Sequence, residues 1–177
     1  DDLVSGFIDN NNEESLNNPG PIPDVFLRDM VEQDTFLISK KTGLNNENVG
    51  AGQPGQGSTR PMISGDGNWV VFESLAKNLS GFTITTIGVK HIFLLDRDAW
   101  SLNPDLVDPQ IIDKNTAVPS PKEGDRDSQN PYISRTGSFI VFETKATNLS
   151  LLVDLNAAGS EKTDILLWDI ASAELKY

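Results

Sequence analysis

The chain has 177 residues, enough for one domain with a sizeable core, and carries 26 acidic against 14 basic side chains for a net charge of −12. That balance argues against a nucleic-acid backbone or an anionic membrane surface as partner, because both call for clustered Lys and Arg. With no cysteine there is no disulfide, no thiolate nucleophile and no Cys-based zinc site.

Apolar residues make up 37% of the chain and fall in bursts, which separates it from a disordered sequence. No burst approaches the length of a membrane span, and the opening "DDLVSGF" is not a secretory leader. In chain order the first burst is "DVFLRD" at 24–29, followed by the weaker "TFLISK" at 35–40. Residues 44–60 read as loop. A short strand at Met62–Ser64 then runs through the turn "GDG" into "WVVFES" at 69–74. "HIFLLD" at 91–96 and "QIIDKN" at 110–115 complete that group, and 116–130 again read as loop. The order repeats with Tyr132–Ser134, the turn "RTG", "FIVFET" at 139–144, "DILLWD" at 164–169 and a truncated "AELKY". β-Branched and aromatic residues dominate the stronger runs, and no period of 3.6 fits them, so all are strands. Gly67 and Gly137 suit the positive φ of tight turns.

Residues 61–80 lie over 131–150 without a gap and agree at 11 of 20 positions. A second unit occurs three times, as "DVFLRD", "HIFLLD" and "DILLWD", each an apolar run closed by Asp. Each has a related lead-in: "LVSGF" at 3–7, "NLSGF" at 78–82 and "NLSLL" at 148–152. The unit is therefore four strands over about seventy residues. The chain holds about two and a half units, divided as 1–57 (a partial unit and linker), 58–127 (a complete unit) and 128–177 (a nearly complete one). One four-stranded sheet cannot bury both faces by itself, so neighbouring sheets are expected to stack. Phe72, Phe142, Phe93, Val71, Val141, Trp69 and Phe139 are then packing residues.

The pattern P-x-I-S-x-x-G-x-x-V-x-F-x-S-x-A-x-N-L followed by D-V/I-F-L-x-D resembles the WD40-like (PD40, TolB-type) β-propeller repeat of bacterial secreted and envelope proteins. The resemblance covers nearly the whole chain. It implies an all-β fold of propeller-type blades, each of four antiparallel strands, in an incomplete ring. It also implies a module that works as an interaction platform or attached domain, placed outside the cytoplasm in the envelope or beyond it. A closed propeller usually has four or more blades, so the two and a half here predict packing against further blades of the same protein or against further copies.

Chemistry is thinly marked. His91 is the one histidine and opens a third strand where the other units have Asp24 and Asp164. A strand-end role fits it better than a Ser-His-Asp set. Asp96 with Asp98, Glu13 with Glu14 and Asp125 with Asp127 are paired acids, but an acidic chain yields such pairs freely. "SGDGNW" at 64–69 faintly resembles a sialidase Asp-box; its counterpart "SRTGSF" has no Asp, so both read as hairpin turns.

The best lead lies in the loops before the third strands. Asp9, Asn11 and Asp24 in one, and Asp154, Asn156 and Asp164 in the other, set hard oxygen ligands along a loop as a Ca²⁺ site requires. A plain Asx-turn account competes, and the middle unit's "FTITTIGVKH" has no acid. Asn78 and Asn148 sit in "NLS" sequons at one repeat position, where a structural role explains them as well as glycosylation does. Two functions are compatible with these residues. The first is a non-catalytic structural or interaction module. The alternative is a propeller hydrolase, or an enzyme's accessory domain, acting on glycans or peptides.

Overall fold

The structure, a computed structural model, describes residues 23–40, 57–102, 107–115, 121–149 and 162–176. These form antiparallel β-structure with a single short helix. A hairpin of β1 (Phe26–Arg28) and β2 (Thr35–Leu37) comes first. A middle sheet then follows in simple up-and-down order, β3 (Ser58–Ile63), β4 (Trp69–Ser74), β5 (His91–Asp96) and β6 (Gln110–Ile111). A last sheet repeats that order with β7 (Ser128–Ile133), β8 (Phe139–Thr144), β9 (Asp164–Asp169) and β10 (Glu174–Lys176). Neither sheet closes into a barrel. Among the described residues no helix is long and apolar enough to cross a membrane.

The repeat in sequence is a repeat in register. Met62 and Ile63 pair with Val71 and Val70, while Tyr132 and Ile133 pair with Val141 and Ile140. Both first strands begin four residues before the expected start, because Ser58 and Ser128 pair with Ser74 and Thr144 and exchange side-chain hydrogen bonds of 2.8 and 3.0 Å. Each then breaks register at the same point, between Thr59 and Met62 and between Gln129 and Tyr132. The bulge residues Arg60 and Asn130 have φ of 54° and 55°. Such a bulge takes one backbone amide out of the ladder.

The Asp that closes each third strand caps the turn beyond it. Asp29 Oδ1 accepts from the amides of Val31 and Glu32, and Asp169 Oδ1 accepts from those of Ala171 and Ser172. These contacts fold the tight hairpins into β2 and β10. Asp96 Oδ1 instead accepts from Ala99 and starts the helix α1 (Arg97–Leu102), where the strand pattern had predicted no helix. Trp100 fixes that helix, buried and edge-on to Phe36 at 5.1 Å.

Alternation along each strand sends side chains to opposite faces. In the middle sheet Val70, Phe72, Phe93, Leu95 and Ile111 face the β1–β2 hairpin and pack with Val25, Ile38 and Trp100. Val71, Ile92 and Leu94 face the last sheet and pack with Ile133, Ile140, Phe142, Leu166 and Trp168. Both faces of the middle sheet are therefore covered, and every residue from Val70 to Leu95 that lies on β4 or β5 is buried. The last sheet has apolar residues at the equivalent positions on both faces, but among the described residues only one face is covered, and β8 alternates between buried and open positions. Phe139 and Val141, expected to pack, stay 44% and 37% exposed because no further sheet lies over them among the described residues.

The turns support this stacking. Gly67 and Gly137 have φ of 78° and 65°, as the two "xxG" turns require. A methyl group on Gly67 would meet nothing, whereas one on Gly137 would stand 2.7 Å from Trp69 Cδ1 of the neighbouring sheet. Gly67→Ala should cost roughly 1 kcal/mol from φ alone, and Gly137→Ala roughly 2–3 kcal/mol from φ and the clash together. Urea denaturation of the two variants measures the difference. Equal costs would contradict the contact between sheets at Trp69.

Candidate functional site

A buried polar cluster lies where β5 begins. His91 and Asp113 are 1% and 0% exposed, with His91 Nδ1 2.9 Å from Asp113 Oδ2. The other ring nitrogen, Nε2, is 2.9 Å from Thr86 Oγ1. Asp113 Oδ1 accepts from the Ile92 amide at 2.9 Å, and the Ser128 hydroxyl also bonds this carboxylate from the next sheet. Burial pushes the Asp113 carboxyl up, and the bonds from His91, Ile92 and Ser128 oppose that rise.

Thr86, His91 and Asp113 have the hydrogen-bond distances of a hydroxyl–imidazole–carboxylate triad. Access and electrostatics differ from what such a triad uses. The imidazole is enclosed. The amides of Thr85 and Thr86, the donors nearest the hydroxyl, both go to Glu123 Oε1 at 2.7 and 3.1 Å. A carboxylate thus stands beside the hydroxyl where acyl transfer needs donors for an oxyanion. A groove of about 380 Å³ lined by Leu27, Asp29, Phe36, Arg97 and Trp100 lies elsewhere, beyond the far end of β5.

The first unit explains why this cluster exists. Val25 and Ile92 are equivalent, since each carbonyl accepts from the first residue after the fourth strand, Ile38 or Ile112. Ser39 Oγ then accepts from the Val25 amide and donates to Asp24, just as Asp113 accepts from Ile92 and meets His91. The acid has changed places. The hairpin has Asp24 just before its third strand and a hydroxyl after the fourth; the middle sheet has a histidine at the start of the third strand and the acid after the fourth. His91 sits at a strand start as expected, but it is buried and paired, which the sequence showed only as an isolated histidine. Its partner lies 22 residues away without a motif.

Glu123 is a further buried acid, and no motif in the sequence singles it out. Burial works against its charge, but hydrogen bonds from the Thr85 hydroxyl and amide, its own amide and the Thr86 amide win and hold the carboxyl at about 2 against an ordinary 4.5. Its pKa is depressed in the folded chain. The stability it contributes is therefore complete above about pH 4.5 and is lost as the pH falls towards about 2. The urea midpoint should drop across that window, and Glu123→Gln should flatten the drop. An unchanged pH slope in the variant would contradict the Thr85–Thr86 anchor.

The two stacked sheets meet at a third buried acid, Glu73, which is 1% exposed. Its Oε1 accepts from Lys90 Nζ at 3.0 Å and from Thr59 Oγ1 at 3.1 Å, and Arg60 Nε lies at 3.5 Å. Its Oε2 reaches across to the last sheet and accepts from the Asn130 amide at 2.8 Å. That amide is the one the bulge removes from the β7–β8 ladder.

Of the predicted oxygen-ligand set, Asp9, Asn11, Asp154 and Asn156 lie outside the described residues. Asp24, before β1, receives the Ser39 hydroxyl at 2.7 Å, whereas Asp164 opens β9 opposite Thr144, so these two belong to different repeat units. Among the described residues no group of three or more acids or histidines could hold a metal ion. At the sequon Asn148, Nδ2 donates to the Glu123 carbonyl at 2.8 Å and Oδ1 accepts from the Asp125 amide at 3.1 Å. Both ends of that amide are in structural use. Leu79 and Leu149, which follow the two sequon asparagines, are buried anchors. The chain matches no family model and no curated protein.

Proposed function

We propose that the chain is a non-catalytic scaffold module: two successive blades and part of a third from a β-propeller-type stack of the WD40-like (PD40, TolB-type) kind. It packs against further units of the same repeat in an extracellular or envelope assembly. One observation carries this reading. Equivalent side chains are covered in the middle sheet and open in the last one: Val71 and Ile92 are 0% exposed, while Val141 and Ile165 are 37% and 65% exposed. Full burial of a Val or Ile side chain contributes about 1.5–3 kcal/mol, so leaving this face in water forgoes several such contributions. The resemblance of the repeat to those of secreted and envelope proteins supports a place outside the cytoplasm. Neither the distances in Thr86–His91–Asp113 nor the remote groove supports turnover as well as the repeated face supports stacking.

The hydrolase reading keeps one favourable observation, the triad-like distances, and is tested directly. The chain and its Thr86→Ala variant are assayed on panels of glycoside and peptide substrates; no turnover is expected. Turnover lost in Thr86→Ala would replace the scaffold reading with the hydrolase one. For the open face, the chain should enhance the fluorescence of an anilinonaphthalene dye, and the double variant Val141→Lys, Ile165→Lys should lose that enhancement. Undiminished dye binding in the double variant would contradict the face.

A further inference from the structure

The covered junction contains a device that the open face repeats without its partner. At the junction Glu73 collects donors from its own sheet, Thr59 and Arg60, and sends its other oxygen to the bulge amide of Asn130 in the next sheet. Seventy residues on, Glu143 occupies the same place on β8. It collects the equivalent donors from its own sheet, Gln129 Nε2 at 3.3 Å and Asn130 Nδ2 at 2.9 Å, both on Oε2. Glu143 Oε1 has no hydrogen-bond partner among the described residues. Around it lie Tyr132, Val141 and Ile165, the open counterparts of Met62, Val71 and Ile92.

We infer that Glu143 is a docking residue. It accepts the bulge amide from the first strand of one further four-stranded unit of this repeat, laid over the last sheet as the last sheet lies over the middle one. The inference rests on the stacking reading and gives it a recognition rule. The occupant presents a strand with a left-handed residue at a register break, so that one amide points out of its ladder, flanked by an inward apolar face. The chain's own last sheet shows this arrangement at Asn130, φ 55°, with Ile133, Ile140, Phe142 and Trp168 facing inward. A second copy of the chain cannot offer that surface from its last sheet, because its own middle sheet already covers it. A carboxylate bonded to a buried amide is stronger than a neutral pair, and an amide left buried without it is costly, so the acid both favours the right unit and fixes its register.

The test compares two alanine variants in two chains: the 177-residue chain, and an extended chain with a second copy of residues 112–177 after Tyr177. In the 177-residue chain, Glu73→Ala should shift the folded-to-unfolded ratio by about tenfold or more, and Glu143→Ala by no more than about threefold. In the extended chain the urea midpoint should rise, and Glu143→Ala in the first copy should now cost about tenfold. A raised midpoint with Glu143 still neutral would overturn the docking role and leave stacking intact. An appended unit that unfolds by itself at the old midpoint would overturn the stacking reading. Should the extended chain fail to fold, the 177-residue chain still decides: equal costs for Glu73→Ala and Glu143→Ala, or a neutral Glu73→Ala, overturn the inference. Light scattering covers the remaining occupant, since a dimer of the 177-residue chain that Glu143→Ala dissociates would make the partner a second copy and overturn the further unit.

Discussion

Replacing Phe72 or Phe142 by alanine is expected to lower the unfolding free energy by about 3–5 kcal/mol in each case. The two occupy the same position in successive repeats, on the face turned towards the preceding unit. Phe72 is 0% exposed and stacks on Phe93 at 5.8 Å between the middle sheet and the β1–β2 hairpin. Phe142 is 1% exposed and sits opposite Leu166 between the middle and last sheets. Either truncation leaves a cavity that paired strands on both sides cannot collapse to fill, and the cavity cost adds to the lost transfer free energy. Val141→Ala is the control. It lies one residue away on the open face and should cost no more than about 1 kcal/mol. Chemical denaturation of the three variants gives the comparison. Near-neutral values at both phenylalanines would mean that the sheets do not stack through these faces.

The second large effect is expected at Asp113. Its carboxylate is fully buried and serves His91, the Ile92 amide and the Ser128 hydroxyl at once. Asp113→Ala strips all three partners without restoring water to them, which should cost about 3–5 kcal/mol. Asp113→Ser imitates the first unit, where Ser39 accepts the equivalent amide, and His91→Asp supplies the acid that stands there as Asp24. The double variant Asp113→Ser, His91→Asp should therefore recover a large part of the loss. No recovery would show that the two units do not share one polar arrangement. Recovery would also bear on the triad-like distances, since a pair that exists to close the sheet tolerates exchange with its structural equivalent.

Much of the architecture was legible because the sequence states it twice. The four strongest strands, at 69–74, 91–96, 139–144 and 164–169, lie where the apolar runs predicted. The weaker fourth strands appear as two or three paired residues within their expected segments. What was missed depended on contacts rather than pattern. The helix Arg97–Leu102 replaces a tight hairpin because Asp96 caps it and Trp100 packs edge-on against Phe36, contacts that the strand pattern does not show. The bulges put Arg60 and Asn130 at positive φ, where no glycine marks them. At both bulges a carboxylate on another strand meets the bulge residue. The role of Glu73 needed the neighbouring sheet. The His91–Asp113 pair and the Glu123 anchor join segments 22 and 38 residues apart and have no local signature.

Because the chain contains no cysteine, one introduced thiol reports its own surroundings. Val141→Cys is made in the 177-residue chain and in the first copy of the extended chain, with Val71→Cys as the covered equivalent. The rate of reaction with a soluble disulfide reagent is then measured under native conditions. Position 141 should react freely in the 177-residue chain and be slowed by about a hundredfold or more in the extended one, matching position 71. Equal rates at position 141 in both chains would contradict the claim that successive units cover one another through this face.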